Sequence, residues 1–103
     1  MNEGDSPWTP EFCAARLKVM AEPNRLAVLC RLLEGECKVS ELNAELKLEQ
    51  SLLSHHLRVL RESGLVEAAR AGRWVVYRLH PDLRRGGSKT MLELGCCTVS
   101  FEG

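Results

Sequence analysis

Two adjacent cysteines near the C-terminus, Cys96 and Cys97, are the residues with the most pronounced chemistry in this 103-residue chain. Neighbouring cysteines close a mutual disulfide only with strain. Two adjacent thiolates can instead grip one soft, thiophilic centre. Trivalent arsenic or antimony takes three sulfurs in a pyramid, so a third thiol is needed. Cys37, Cys13 and Cys30 are the candidates in the chain, across a dimer or within one copy, and a small-molecule thiol is the other source. The plainer alternative is that Cys96 and Cys97 are two small residues packed at the end of an element. Core or surface placement is the default for Cys13 and Cys37, which carry no motif of their own. The pair His55-His56 is a poor metal site, because adjacent helical residues point about 100° apart and no third ligand is near in sequence.

A net charge of zero conceals a segregation of charge. Residues 1–50 carry a net −3, residues 51–85 a net +4 and residues 86–103 a net −1. Every cation of the middle block is an arginine: Arg58, Arg61, Arg70, Arg73, Arg78, Arg84 and Arg85. The guanidinium fork is the side chain best shaped for phosphate and for guanine edges. Several classes of function are excluded. No apolar run reaches the roughly 18–20 residues of a membrane span. The acidic start Met1-Asn2-Glu3-Gly4-Asp5 lacks the order of a secretory signal, so a cytoplasmic protein with reduced thiols and no disulfide framework is expected. There is no Cys-x-x-Cys, glycine-rich phosphate loop, nucleophile elbow or catalytic carboxylate pair, so an enzyme is not expected.

The elements that must position these groups can be read from local signals. Residues 1–8 read as a loose tail, residues 9–98 as one domain and residues 99–103 as a second tail. Thr9-Pro10-Glu11 starts a helix that runs to about Ala21. Glu22-Pro23-Asn24 interrupts it. A second helix follows, with Leu26, Leu29, Leu32 and Leu33 on one face, and stops near Glu34-Gly35. Ser40-Glu41-Leu42 opens a short third helix, and Lys47-Leu48-Glu49 is the turn into a fourth, Gln50 to Ser63. On that fourth helix Leu53, Leu57 and Leu60 face inward. Ser51, Ser54, His55, Arg58 and Arg61 lie on the other side. Leu65–Ala69 and Trp74–Leu79 are strands flanking Arg70-Ala71-Gly72-Arg73, a hairpin signal with arginines at its tip. Trp74 and Tyr77 are expected to pack this wing onto the body. Arg84-Arg85-Gly86-Gly87-Ser88 is expected to be flexible, and residues 89–98 a closing helix.

Two short helices joined by a tight turn, the second exposing hydroxyl, imidazole and guanidinium groups, form a helix-turn-helix. With the hairpin behind them the class is mainly α with a β-hairpin wing, a winged helix-turn-helix. A helix of this kind fits the major groove of double-stranded DNA. Ser51, Ser54, His55 and Arg58 are the expected base readers, and Gln50, Arg61, Arg70 and Arg73 the expected backbone contacts. A winged helix can also be a protein-docking module without DNA binding, but such a module would carry apolar anchors on the fourth helix.

The stretches Leu17-Lys18-Val19-Met20-Ala21-Glu22-Pro23-Asn24-Arg25-Leu26, Gln50-Ser51-Leu52-Leu53-Ser54-His55-His56-Leu57-Arg58-Val59-Leu60-Arg61-Glu62-Ser63-Gly64-Leu65-Val66 and Gly72-Arg73-Trp74-Val75-Val76-Tyr77-Arg78-Leu79 resemble the ArsR/SmtB family of bacterial transcriptional repressors. The resemblance covers roughly residues 12–80. It implies a homodimer built through the first and last helices, bound to a palindromic operator and released by an inducer, with no cofactor required for DNA binding. The family's third-helix metal motif, Glu-Leu-Cys-Val-Cys-Asp-Leu, corresponds to Glu36-Cys37-Lys38-Val39-Ser40-Glu41-Leu42 and loses both ligand positions. No histidine follows His80, so zinc is not an expected inducer by either family geometry. Gly95-Cys96-Cys97 resembles the Asn-Cys-Cys element of an arsenite-responsive branch, which implies As(III) or Sb(III) at Cys96 and Cys97. Cys30 resembles the upstream cysteine of persulfide-sensing members, which implies the alternative of a redox pair between Cys30 and Cys96 or Cys97. The turn departs from the family at Lys47 and Glu49, where glycine and a capping serine are usual.

Overall fold

The computed structural model describes residues 9–84 and 89–101. The tail expected over residues 1–8 and the flexible link expected at residues 85–88 lie outside the described residues. Four helices come first, α1 (Pro10–Met20), α2 (Pro23–Leu33), α3 (Val39–Leu46) and α4 (Gln50–Glu62), with a two-residue strand β1 (Cys37–Lys38) before α3. The wing strands β2 (Val66–Ala71) and β3 (Trp74–Leu79) follow, then a 3-10 turn at Pro81–Leu83 and two short strands, β4 (Met91–Glu93) and β5 (Thr98–Ser100).

The helix boundaries follow from their caps. Thr9 accepts the Phe12 amide at 3.1 Å and Pro10 occupies the first helical position. Glu22 does the same for α2, accepting the Arg25 amide at 2.9 Å ahead of Pro23. Glu41 reaches back from α3 to accept the Lys38 amide at 2.9 Å. α3 ends at Lys47, which takes the left-handed conformation with φ 56° while its amide donates to Asn43 O. Asn43 also donates its side-chain amide to Leu48 O, so the turn into α4 is fastened without the usual glycine.

The core is built from the faces that the leucine spacing predicts. Leu29, Leu32 and Leu33 of α2 meet Leu42 of α3 and Leu53, Leu57 and Leu60 of α4, with Leu65, Val66 and Leu79 from the wing closing the cluster. In the three-stranded antiparallel sheet the order is β1-β3-β2, with Ala71 opposite Trp74 and Cys37 opposite Tyr77. A two-residue hairpin turn, with Gly72 at φ 65°, makes the wing.

The C-terminal segment departs from expectation. Residues 89–98 form no helix: β4 and β5 pair antiparallel, Leu92 opposite Val99, and the second strand runs on to Ser100. Gly95 at φ 99° is hostile to a helix, whereas the β-branched Thr98 and Val99 suit a strand. Leu92 and Leu94 are buried and carry the hairpin into the main core. The homodimer contact expected from the first and last helices therefore has α1 but no last helix among the described residues.

Candidate nucleic-acid interface and thiol site

α4 is amphipathic in the strict sense: Leu53, His56, Leu57 and Leu60 are buried, while Ser51, Ser54, His55, Arg58 and Arg61 are exposed. The exposed face forms one wall of a groove of about 920 Å³. Lys38 and Asn43 line it from the α3 side and Arg73, Trp74 and Tyr77 from the wing. Four cations, Lys38, Arg58, Arg61 and Arg73, and no carboxylate face this space. Of the eight expected DNA contacts, Gln50, Ser51, Ser54, His55, Arg58, Arg61 and Arg73 lie along it. Arg70 does not; it is exposed on β2 opposite Val75.

Two more side chains bear on this region, His56 on α4 and Trp74 on β3. His56 points inward, 5% exposed, where Arg25 donates from Nη1 to its Nδ1 at 3.2 Å and Glu22 Oε1 lies 3.7 Å from its Nε2. The same guanidinium donates from Nε to Val19 O at 2.7 Å, so a polar cluster ties the end of α1 and the start of α2 to the middle of α4. The amide of Arg25, foremost, and the charge near His56 hold the Glu22 carboxyl below its usual range. Trp74 does not pack the wing onto the body. It is 46% exposed, and the Lys38 ammonium stands 4.5 Å from its ring centroid. Tyr77 is buried as expected. Sequence reasoning overlooked Lys38, Asn43 and the groove-side position of Trp74. The Trp-Val-Val-Tyr run of β3 shows a strand, but does not tell which aromatic stays outside.

The second site is at the C-terminal hairpin. Leu94, Gly95, Cys96 and Cys97 connect β4 to β5, and the Leu94 amide donates to Cys97 O at 2.9 Å. Glu93 organises the loop, accepting the Gly95 amide at 3.1 Å with one oxygen and the Thr98 hydroxyl at 3.2 Å with the other. α1 brings a third cysteine: the sulfurs of Cys13, Cys96 and Cys97 all lie within 4.8 Å of one another. Cys96 and Cys97 Sγ are 3.9 Å apart, and Cys13 and Cys96 are joined sulfur to sulfur, with their Cα atoms 6.2 Å apart. A Cα separation of this size is in the usual disulfide range. The packing of α1 against the hairpin thus brings together Cys13 and Cys96, residues 83 apart in sequence.

The other two thiols are elsewhere. Cys30 is half-buried and free, and burial pushes its thiol up. Cys37 is buried and free; burial, chiefly, pushes it up as well, and its thiol donates to Glu41 Oε1 at 3.7 Å. Neither belongs to the three-sulfur group. In this structure the sulfur that lies against Cys96 is Cys13 of α1, and Cys30 of α2 is free. The group contains sulfur only, with no His or carboxylate. That set suits a thiophilic pyramidal centre better than tetrahedral zinc, which needs a fourth ligand.

A profile described as "Bacterial regulatory protein, arsR family" matches residues 22–68, from the α2 cap through α4 into β2. The arsenical resistance operon repressor of Escherichia coli K12 is 38% identical over 81 residues, covering 78% of this chain and 69% of that protein. The chain belongs to the arsR family. It is thus a member of a family of regulators, not of enzymes. The biofilm growth-associated repressor of Agrobacterium fabrum is 45% identical over 69 residues, 67% of this arsR-family chain and 59% of that protein. Reduced HlyU from Vibrio cholerae N16961 superposes with a TM-score of 0.64 at 44% identity, covering 66% of this chain and 72% of that one. The chain spans less than two-thirds of the length of several curated relatives, the Agrobacterium repressor among them. Cys13, Cys96 and Cys97 all fall outside the residues that the arsR profile matches. No helix among the described residues is long and apolar enough to cross a membrane.

Proposed function

We propose that this arsR-family chain is a DNA-binding transcriptional repressor that acts as a homodimer and leaves its operator when a trivalent arsenic or antimony species binds Cys13, Cys96 and Cys97. The observation that carries DNA binding is the groove along α4, whose four charged side chains are all cationic. A helix exposing Ser54, His55 and Arg58 in such a groove can read base edges while Gln50, Arg61 and Arg73 hold phosphates. Arg70, on the far side of the wing hairpin, takes a flanking phosphate. A protein-docking module would use apolar anchors at these positions, and α4 has none but Leu52 on its exposed side.

The inducer chemistry is ligand exchange without redox change. Arsenous acid carries three hydroxyls. Three S–As bonds replace three As–O bonds, and the three thiol protons leave with the hydroxyls as three waters. The reaction needs all three sulfurs reduced, so the Cys13–Cys96 pair must be open when the inducer arrives. The proximity of these sulfurs supports a second reading, a thiol switch acting on a small-molecule persulfide. Cys13 thiolate would attack the outer sulfur and expel the carrier thiolate, leaving a Cys13 persulfide. Cys96 would then attack the Cys13 sulfur, expelling hydrosulfide and closing the disulfide.

Fluorescence anisotropy on duplex DNA selected by the protein, challenged in parallel with arsenite, antimonite, zinc, cadmium and a persulfide, tests both readings. Release by arsenite or antimonite at low concentration, lost in Cys96→Ser/Cys97→Ser with DNA binding intact, is the expected result. Release by persulfide alone would transfer the role to the thiol switch. Absence of any salt-dependent duplex binding would overturn the DNA reading itself.

A further inference from the structure

We infer that Glu93 is the positioning residue of the thiol site, holding Cys96 and Cys97 in place for the trivalent centre; the inference rests on the reading of Cys13, Cys96 and Cys97 as the inducer site. The two oxygens of its carboxylate bracket the cysteine pair. Oε1 accepts the amide of Gly95, the residue immediately before Cys96, at 3.1 Å. Oε2 accepts the hydroxyl of Thr98, the residue immediately after Cys97, at 3.2 Å. The backbone closes the same loop: Glu93 pairs with Thr98 across β4 and β5, and the Leu94 amide donates to Cys97 O at 2.9 Å. Gly95 stands at φ 99°, a conformation that glycine takes without strain, so the bend before the pair costs the backbone little.

The tether works from a fixed base. Leu92 and Leu94, on either side of Glu93, are buried in the main core. Leu94 O also accepts from Arg16 Nη1 at 3.4 Å, which ties the base of the loop to α1, the helix that supplies Cys13. The free end of the hairpin is the part that needs holding, since Cys97 and Thr98 are exposed. Both Glu93 oxygens are engaged by the loop, and the group that could hold an ion contains sulfur alone. Glu93 therefore supports the ligands and does not join them. A slack loop would have to order two thiols at the moment the inducer arrives, at a cost in affinity; the carboxylate orders them beforehand. Hydrogen-bonded supports of this kind typically change the affinity of a metal site by about 10- to 100-fold.

The test uses the full chain, reduced with a phosphine, and arsenite as the probe. Wild type is compared with Glu93→Ala, which removes both tethers, and with Glu93→Gln. Glutamine keeps an oxygen for the Gly95 amide and an NH2 that can donate to the Thr98 hydroxyl, but carries no charge and takes up no thiol proton. Arsenite affinity is read from the sulfur-to-arsenic absorption in the near ultraviolet, and circular dichroism monitors the fold. The expected result is an affinity about 10- to 100-fold lower in Glu93→Ala and restored close to wild type in Glu93→Gln. Should Glu93→Ala lose the wild-type dichroism, Thr98→Ala, with one tether removed, carries the test: affinity falls there and returns in Thr98→Ser. Wild-type affinity in the folded alanine variant would overturn the inference. Glu93→Gln as weak as Glu93→Ala would also overturn it, by showing that the charge and not the tether matters. Failure of wild type to bind arsenite would instead overturn the site reading, and the role of Glu93 would fall with it.

Discussion

The ammonium of Lys38 rests over the indole of Trp74, 4.5 Å from the ring centroid, on the rim of the groove that α4 lines. β1 makes this meeting possible, because Lys38 pairs with Val76 two residues along the strand that begins at Trp74. A cation held on an aromatic face is pre-positioned for a phosphate, and the exposed indole can pack on a sugar. Lys38→Ala should weaken duplex binding and lower the slope of log affinity against log salt by about 0.9, the signature of one lost phosphate contact. In a Trp8→Phe background, Trp74 is the single indole of the chain. Its emission should change on adding duplex; no change would place DNA away from this rim.

Arg58 is exposed on α4, one turn beyond Ser54, and lines the same groove. Arg58→Ala should cost about 1–3 kcal/mol of binding and relax sequence preference at the base it reads, whereas Arg61→Ala should weaken all sequences alike. Anisotropy titrations against a panel of single-base variants separate the two outcomes.

Lys47 ends α3 in the left-handed region at φ 56°. A side chain there costs about 1–2 kcal/mol relative to glycine. Lys47→Gly should therefore raise the denaturation midpoint and leave the recognition face unchanged, since Lys47 does not line the groove. An unaltered or lower midpoint in urea would contradict this account of the turn.

Two helix starts depend on carboxylates. Backbone amides, that of Arg25 for Glu22 and that of Lys38 for Glu41, are the main cause that holds both groups below their ordinary value of 4.5. A group with a lowered folded pKa contributes stability that is complete above its unfolded value and lost as pH falls through the folded one. Urea midpoints should thus decline below about pH 4.5. Glu22→Gln and Glu41→Gln should flatten that decline. A decline just as steep in the double variant would remove these caps from the acid response.

Much of the cationic groove was legible in residue order. The four-residue spacing of Leu53, Leu57 and the flanking leucines needs only the helical repeat to separate an apolar from a polar face. Thr9-Pro10 and Glu22-Pro23 act within one turn of themselves, and Gly72 acts within a two-residue hairpin. These are short-range rules, so α1, α2, α4 and the wing follow from local sequence, and with them most of the groove. The thiol site obeys no such rule. Whether Cys13, Cys30 or Cys37 would meet Cys96 depended on how α1 packs against a hairpin that closes 83 residues later, a matter of tertiary contact. The leucine face of α2 draws Cys30 towards the interior. Gly95 and the β-branched residues after Cys97 bend the chain end into strands, and the tip of that turn is what reaches α1. The exposure of Trp74 was decided in the same way, by the arrival of β1 beside β3, which left the indole to the lysine and the groove.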